Sequence, residues 1–302
     1  MKLLNEVVLN SIEFKQIKLN ILQIEKDNSK LSYYEFKENL SSFILLVMKT
    51  YLANAGLNRD DYSFIIDKLP FSTFGLYSES DNKITINERI VKQIYSGKIN
   101  LIQIIFHELT HFKIAIDKKV GYSNEWVVRC IKEEIISNVC LSNELNRAVI
   151  ENESYFEGVF CNPSYEFTSE ETIADIQGNK YLLLFLEYIG INLKPSILKK
   201  IKTSLEKNLN DYNNHKTKFQ LMNLIIPPSF SFDNIFDSII INMPELLIKY
   251  PQLKFEYYIS DGCVLKKSKD MLFEDLMNAK DENDKEYIKF LLQTKTQSNL
   301  KK

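Results

Sequence analysis

The 302 residues are 45% hydrophobic and 26% charged, a composition that excludes intrinsic disorder, and the length allows one large domain or two modest ones. With 38 Lys plus Arg against 40 Asp plus Glu the formal charge is -2, so a nucleic-acid partner is not expected and no global attraction to anionic lipid exists. Four cysteines, Cys130, Cys140, Cys161 and Cys263, form no CxxC pair and are too sparse for a disulfide scaffold; reduced, mostly buried thiols are expected.

The opening stretch MKLLNEVVLNSIEF interrupts its apolar run with Asn5 and Glu6 and offers no small-residue cleavage site, so it does not read as a signal peptide. The strongest apolar segments, SFILLVM and YLLLFLEYIGI, are well short of the roughly 20 residues that cross a bilayer. A cytoplasmic protein without a membrane partner is the expectation.

Residues 1–30 show weak helical patterning. From Tyr33 to Ala55 the residues Phe36, Leu40, Phe43, Ile44, Val47 and Leu52 recur at helical spacing, and Gly56 supplies a stop. YSFIID reads as a short strand, and FGLYSESDNKITIN reads as a hairpin with strands near Phe74–Ser78 and Lys83–Asn87 around the polar turn ESDN. A helix begins near Glu88, and a longer one runs from about Leu101 to Lys118 with Gly121 beyond its end. Another starts after Ser123 or Asn124, suitable N-caps, and continues to about Leu141. The Asn-Pro, Gly and aromatic content of YFEGVFCNPSYEFTS reads as a structured loop. From Thr168 or Ser169 a helix runs to about Tyr188, closed by Gly190. The remainder reads as helices broken at IPPSF and DGC, with the charged run KDENDKE as a solvated helix face. This pattern predicts an α+β, mostly helical chain with a soft boundary near residue 195, dividing 1–195 from a helical C-terminal region at 196–302.

Two of the three histidines stand in IIFHELTHFK, inside the long helix. Residues i and i+4 lie one above the other, so His107 and His111 can present imidazole nitrogens to one point, with Glu108 about 100° around the axis. Zinc accepts imidazole nitrogen, and a carboxylate beside two ligating histidines can take a proton from the metal's water, which makes Glu108 a candidate general base. The flanking Ile102, Ile105, Phe106, Leu109, Phe112 and Ile116 imply burial. Two imidazoles and a carboxylate on an otherwise apolar helix carry a desolvation cost that a metal offsets. With about 1% His and 6% Glu, chance supplies this spacing about 0.002 times in a chain of this length.

HELTH, His107 to His111, resembles the HExxH signature of the zincin metallopeptidases. The resemblance implies a zincin-like fold with a small mixed sheet before the active-site helix, its edge strand holding substrate. It also implies zinc and peptide-bond hydrolysis through a zinc-bound water with Glu108 as base, on a peptide or protein substrate.

A catalytic zinc site needs a third protein ligand. FKIAIDKKVGY lacks the histidine of the metzincin extension, and His215 lies far downstream without a supporting motif. Glu133 and Glu134 on the following helix are one alternative. SEETIAD is the other: it resembles the ExxxD segment of the glutamate-ligated gluzincins, which implies Glu171 as ligand and Asp175 as the carboxylate that orients a ligating histidine. Glu171, Ala174, Asp175 and Gly178 share one helix face whose two small residues let another helix approach, whereas Glu133 and Glu134 are followed at i+4 by Ser137 and Asn138. Glu171 also fits a capping box with Thr168. The interval from His111 to Glu171 is longer than the compact gluzincin pattern. KEEII with YEFTSEETIADIQG is similar, more loosely, to bacterial HExxH proteins of unassigned function. The implied hydrolysis further requires a donor to the developing oxyanion, for which Tyr165, Tyr155 and His215 are candidates. The competing expectation is a non-catalytic, regulatory zincin-fold protein that binds zinc and a partner.

Overall fold

The computed structural model describes residues 2–26, 31–141, 169–213 and 232–299. In chain order these form helices α1 (Glu6–Leu9), α2 (Ile12–Glu25) and α3 (Tyr33–Asn54), strands β1 (Ser63–Asp67), β2 (Gly75–Ser78) and β3 (Lys83–Asn87), then α4 (Glu88–Tyr95), a 3-10 turn at Ile99–Leu101, and α5 (Ile102–Val120). There follow α6 (Glu125–Leu141), α7 (Ser169–Ile189), α8 (Pro195–Asn213), α9 (Phe232–Asn242), α10 (Glu245–Lys249), β4 (Tyr257–Ser260), β5 (Cys263–Lys266), α11 (Lys269–Asn278) and α12 (Glu282–Asn299). The class is α+β, mostly helical, with a mixed three-stranded sheet and a two-stranded sheet. Among the described residues no helix is long and apolar enough to cross a membrane.

Two compact units result, each built from two separated stretches: Met1–Ile116 with Glu171–Asn210, and Asp117–Glu170 with Asp211–Lys302. Apolar burial follows the same division, with one continuous core in each.

In the first unit, side-chain caps decide where helices start. Ser11 Oγ accepts from the Phe14 N–H at 3.0 Å to open α2. Ser32 and Glu35 form a reciprocal capping box at α3, a cap worth about 1 kcal/mol. Gly56, at φ 69°, ends α3 in the left-handed region that only glycine enters cheaply. The sheet order is β1-β3-β2, with β1 parallel and β2 antiparallel to β3. The register aligns Phe64 with Ile84, Ile66 with Ile86, and Tyr77 and Gly75 with the same two isoleucines, so one face of the sheet is apolar. Asn87 closes β3 and positions β2. Its Oδ1 caps α4 at the Arg89 N–H (3.1 Å), while its Nδ2 donates to the Thr73 carbonyl (2.7 Å) in the loop that leads into β2.

An aromatic cluster fixes α5. Phe106 lies 5.8 Å, centroid to centroid, from Phe185 of α7, which in turn meets Phe14 of α2 at 6.1 Å and Phe43 of α3 at 5.8 Å. Phe112, one helical turn and a half further on, meets Tyr51, Tyr62 and Tyr77. Such pairs add about 0.5–1.5 kcal/mol each beyond buried area. α5 is therefore gripped by α7 at Phe106 and by α3, the segment before β1, and β2 at Phe112.

The second unit packs Val127, Ile131 and Ile135 of α6 with Phe236 and Ile240 of α9 and Ile288 of α12. Here the all-helical reading of the C-terminal region requires a correction: DGC is a hairpin, in which Asp261 (φ 51°) and Gly262 (φ 77°) join β4 to β5. Two successive positive φ values are what a two-residue turn between twisted strands demands, and Asp-Gly supplies them. IPPSF lies outside the described residues. KDENDKE leads into α12, whose first turn carries Glu282 and Asp284.

Candidate metal centre

α5 presents His107 and His111 one turn apart, and α7 brings Glu171 and Asp175 to them, all within the first unit. His107 Nε2 lies 3.1 Å from His111 Nε2 and 3.2 Å from Glu171 Oε2, and His111 Nε2 lies 3.2 Å from Glu171 Oε1. The other nitrogen of His107, Nδ1, is 2.9 Å from Asp175 Oδ1. A carboxylate only accepts, so Nδ1 carries a proton toward Asp175, and this fixes the ring and aims Nε2 at the cluster.

A close helix crossing makes this convergence possible. A Cβ added to Gly178 of α7 would stand 3.0 Å from the Gln103 carbonyl oxygen and 3.1 Å from the His107 backbone nitrogen of α5. Ala174, one turn earlier, is fully buried. Gly178→Ala is therefore expected to push α7 away from α5 by a few tenths of an ångström. The outcome is weaker metal retention and a lower Tm, read by chelator competition and thermal melting; unchanged retention would remove Gly178 from the seam.

Two imidazole nitrogens 3.1 Å apart, each 3.2 Å from a different oxygen of one carboxylate, suit a metal. A tetrahedral ion with bonds of 2.0–2.1 Å has ligand-to-ligand edges of about 3.3 Å, and two imidazoles plus a carboxylate leave one position open. Among the described residues, His107, His111 and Glu171 are the group whose donor atoms all fall within 4.8 Å of one another. Glu133 and Glu134 do not belong to it. Glu133 is buried, and Glu134 instead pairs with Lys118 at 3.3 Å and accepts from Tyr250 Oη at 3.1 Å. Tyr165, Tyr155, His215 and the capping residue Thr168 lie outside the described residues.

Electrostatics agree with a site that holds protons when no metal is present. Burial works against the imidazolium of His107, but hydrogen bonds to Asp175 and Glu171 outweigh it and raise its pKa from 6.5 to about 9. The folded-state value is the higher one. His107 thus stabilises the metal-free fold fully below about pH 6.5, and the contribution is lost as pH rises through about 9. A metal bound at this cluster would compete with the proton for His107 Nε2. In chelator, Tm is expected to fall from pH 6.5 to pH 9 while metal affinity rises over that interval; a flat profile for both would contradict the coupling.

Glu108 is 7% exposed, and burial raises its carboxyl pKa, while the two histidines and the Tyr77 N–H that it accepts from pull the other way. Gly75 lies against its side chain. The sequence reading did not single out Gly75 or Tyr77. Glycine inside a strand signals close approach of another group, which was the available clue. Comparison with descriptions of protein families, with curated proteins and with solved structures found no match for the chain.

Proposed function

We propose that the chain is a zinc-dependent peptidase, carried by one observation: two imidazoles and a carboxylate whose ligand atoms lie within 4.8 Å of one another, with a buried carboxylate next to one of them in sequence. His107, His111 and Glu171 would hold the ion, and Asp175 orients His107. Zinc bound there supplies Lewis acidity that acidifies a water and polarises a carbonyl. Glu108 takes the proton of the attacking water and returns it to the leaving amine. Among the described residues the set holds three ligands, which supports this over a purely structural site with four.

A restricted peptide or protein substrate in the cytoplasm completes the reading, without a nucleic-acid or membrane partner. Cys263 is exposed and free, as suits a reducing compartment. Two histidines and one carboxylate also serve iron(II), so metal identity comes first. The test is elemental analysis of protein purified without added metal, followed by mass spectrometry of a mixed peptide library and a cell-lysate proteome. Zinc near one per chain and chelator-sensitive cleavage are expected. Zinc without cleavage of either would favour the non-catalytic, partner-binding alternative, and iron would overturn the peptidase assignment.

A further inference from the structure

We infer that Gly75 is a positioning residue for Glu108: the space a side chain would fill at the start of β2 is the seat of the Glu108 carboxylate. The inference rests on the peptidase reading for its catalytic consequence, but not for the seat itself.

Two independent features of β2 define the seat. A Cβ built on Gly75 would stand 2.7 Å from Glu108 Cγ, 2.7 Å from its Oε1 and 2.9 Å from its Cδ, distances that no Cβ sustains. Two residues on, the Tyr77 backbone N–H donates to the same carboxylate. Gly75 and Tyr77 occupy alternate positions of β2, opposite Ile86 and Ile84, so they share the face of the sheet that meets α5. The missing Cβ admits the carboxylate, and the N–H two residues along orients it.

Gly75 adopts no left-handed backbone angle, since its φ lies outside the positive range. Conformation therefore does not require glycine there. In a strand with ordinary φ, alanine is normally the more stable residue because glycine loses more chain entropy on folding. The three atoms nearest to that Cβ all belong to the Glu108 side chain, and because Cγ is among them the whole side chain must turn to make room. Gly75→Ala is expected to fold and to displace the carboxylate, not to break the sheet.

A double-mutant cycle tests this with Gly75→Ala, Glu108→Ala and the pair. In the wild-type background Gly75→Ala lowers Tm by about 2–4 °C, with zinc per chain unchanged. In the Glu108→Ala background the same substitution leaves Tm unchanged or raises it, because the clashing side chain is gone. On a cleaved peptide, Gly75→Ala lowers kcat at least 10-fold with KM within about 2-fold, the split expected when a group acts on the transition state and not on substrate binding. An equal Tm loss in both backgrounds overturns the seat. A coupled Tm with unchanged kcat overturns the positioning role. If wild type cleaves nothing, the peptidase reading fails, and the Tm coupling still decides whether Gly75 seats Glu108.

Discussion

If Glu171 is the third ligand, Glu171→Ala is expected to lower zinc affinity by about 100-fold or more, because losing even a hydrogen-bond partner of a ligand costs 10–100-fold and this would remove a ligand outright. The Glu171 carboxylate spans both imidazoles, with Oε2 3.2 Å from His107 Nε2 and Oε1 3.2 Å from His111 Nε2. Its side chain is 14% exposed, so water replaces it poorly. The metal-free variant should also melt lower than metal-free wild type, since the two ring nitrogens, 3.1 Å apart, lose the acceptor they share. The melting difference should shrink as pH rises through about 9, where His107 gives up its extra proton in the wild type. The measurement is zinc titration against a chromophoric chelator, with melts in chelator at pH 6.5 and 9. Equal retention by variant and wild type would sink Glu171 as ligand and move the third position to another carboxylate. Asp175→Asn separates the two α7 carboxylates: an amide oxygen still accepts from His107 Nδ1, so it should lie between wild type and Glu171→Ala in affinity.

The long helices were legible because local chemistry writes them. Apolar positions at helical spacing gave α3 and α5, Ser123 or Asn124 gave the start of α6, where it is the Asn124 Oδ1 that accepts from the Trp126 and Val127 N–H groups at 3.0 Å, and Gly56, Gly121 and Gly190 mark helix ends with positive φ. The β2–β3 hairpin was equally local. What the sequence hid is long-range. Nothing near β1 announces that Phe64 and Ile66 align in parallel with Ile84 and Ile86 across β3, since both strands carry the same alternation and parallel pairing needs a crossover. The β4–β5 hairpin carried its signal in Asp261-Gly262, but strands of four residues are too short for their alternation to stand out from a helical run.

The candidate site divides along the same line. His107, Glu108 and His111 are one helical turn and can be read as a motif. The approach of Asp175 to His107 joins residues 68 apart, and in the sequence only the ExxxD resemblance of SEETIAD and the small side chains at Ala174 and Gly178 hinted at it. Gly75 against Glu108 is a contact between a strand and a helix, which no periodicity contains.

Glu108→Gln should separate chemistry from structure most cleanly. Glutamine keeps the shape of the side chain and an oxygen that accepts from the Tyr77 N–H, but it cannot take a proton. If Glu108 is the base, kcat falls by about 10²- to 10⁴-fold, the usual contribution of a positioned general base, while zinc per chain stays at the wild-type value. Stability should move the other way. Glu108 is 7% exposed, and burial disfavours its ionised form, so a neutral amide of the same size removes part of a desolvation cost. The variant is therefore expected to melt at or above the wild-type Tm at neutral pH. A buried carboxylate retained only for packing or for the Tyr77 contact would give a different pattern, with cleavage kept, because glutamine preserves both the shape and that contact. Measured together on one preparation, zinc content, Tm and kcat thus carry three independent signs. Unchanged turnover of a cleaved peptide would remove Glu108 from the base role, whatever the zinc content. A loss of turnover with full zinc and undiminished Tm would mark a residue kept at a cost to the fold for the reaction it serves.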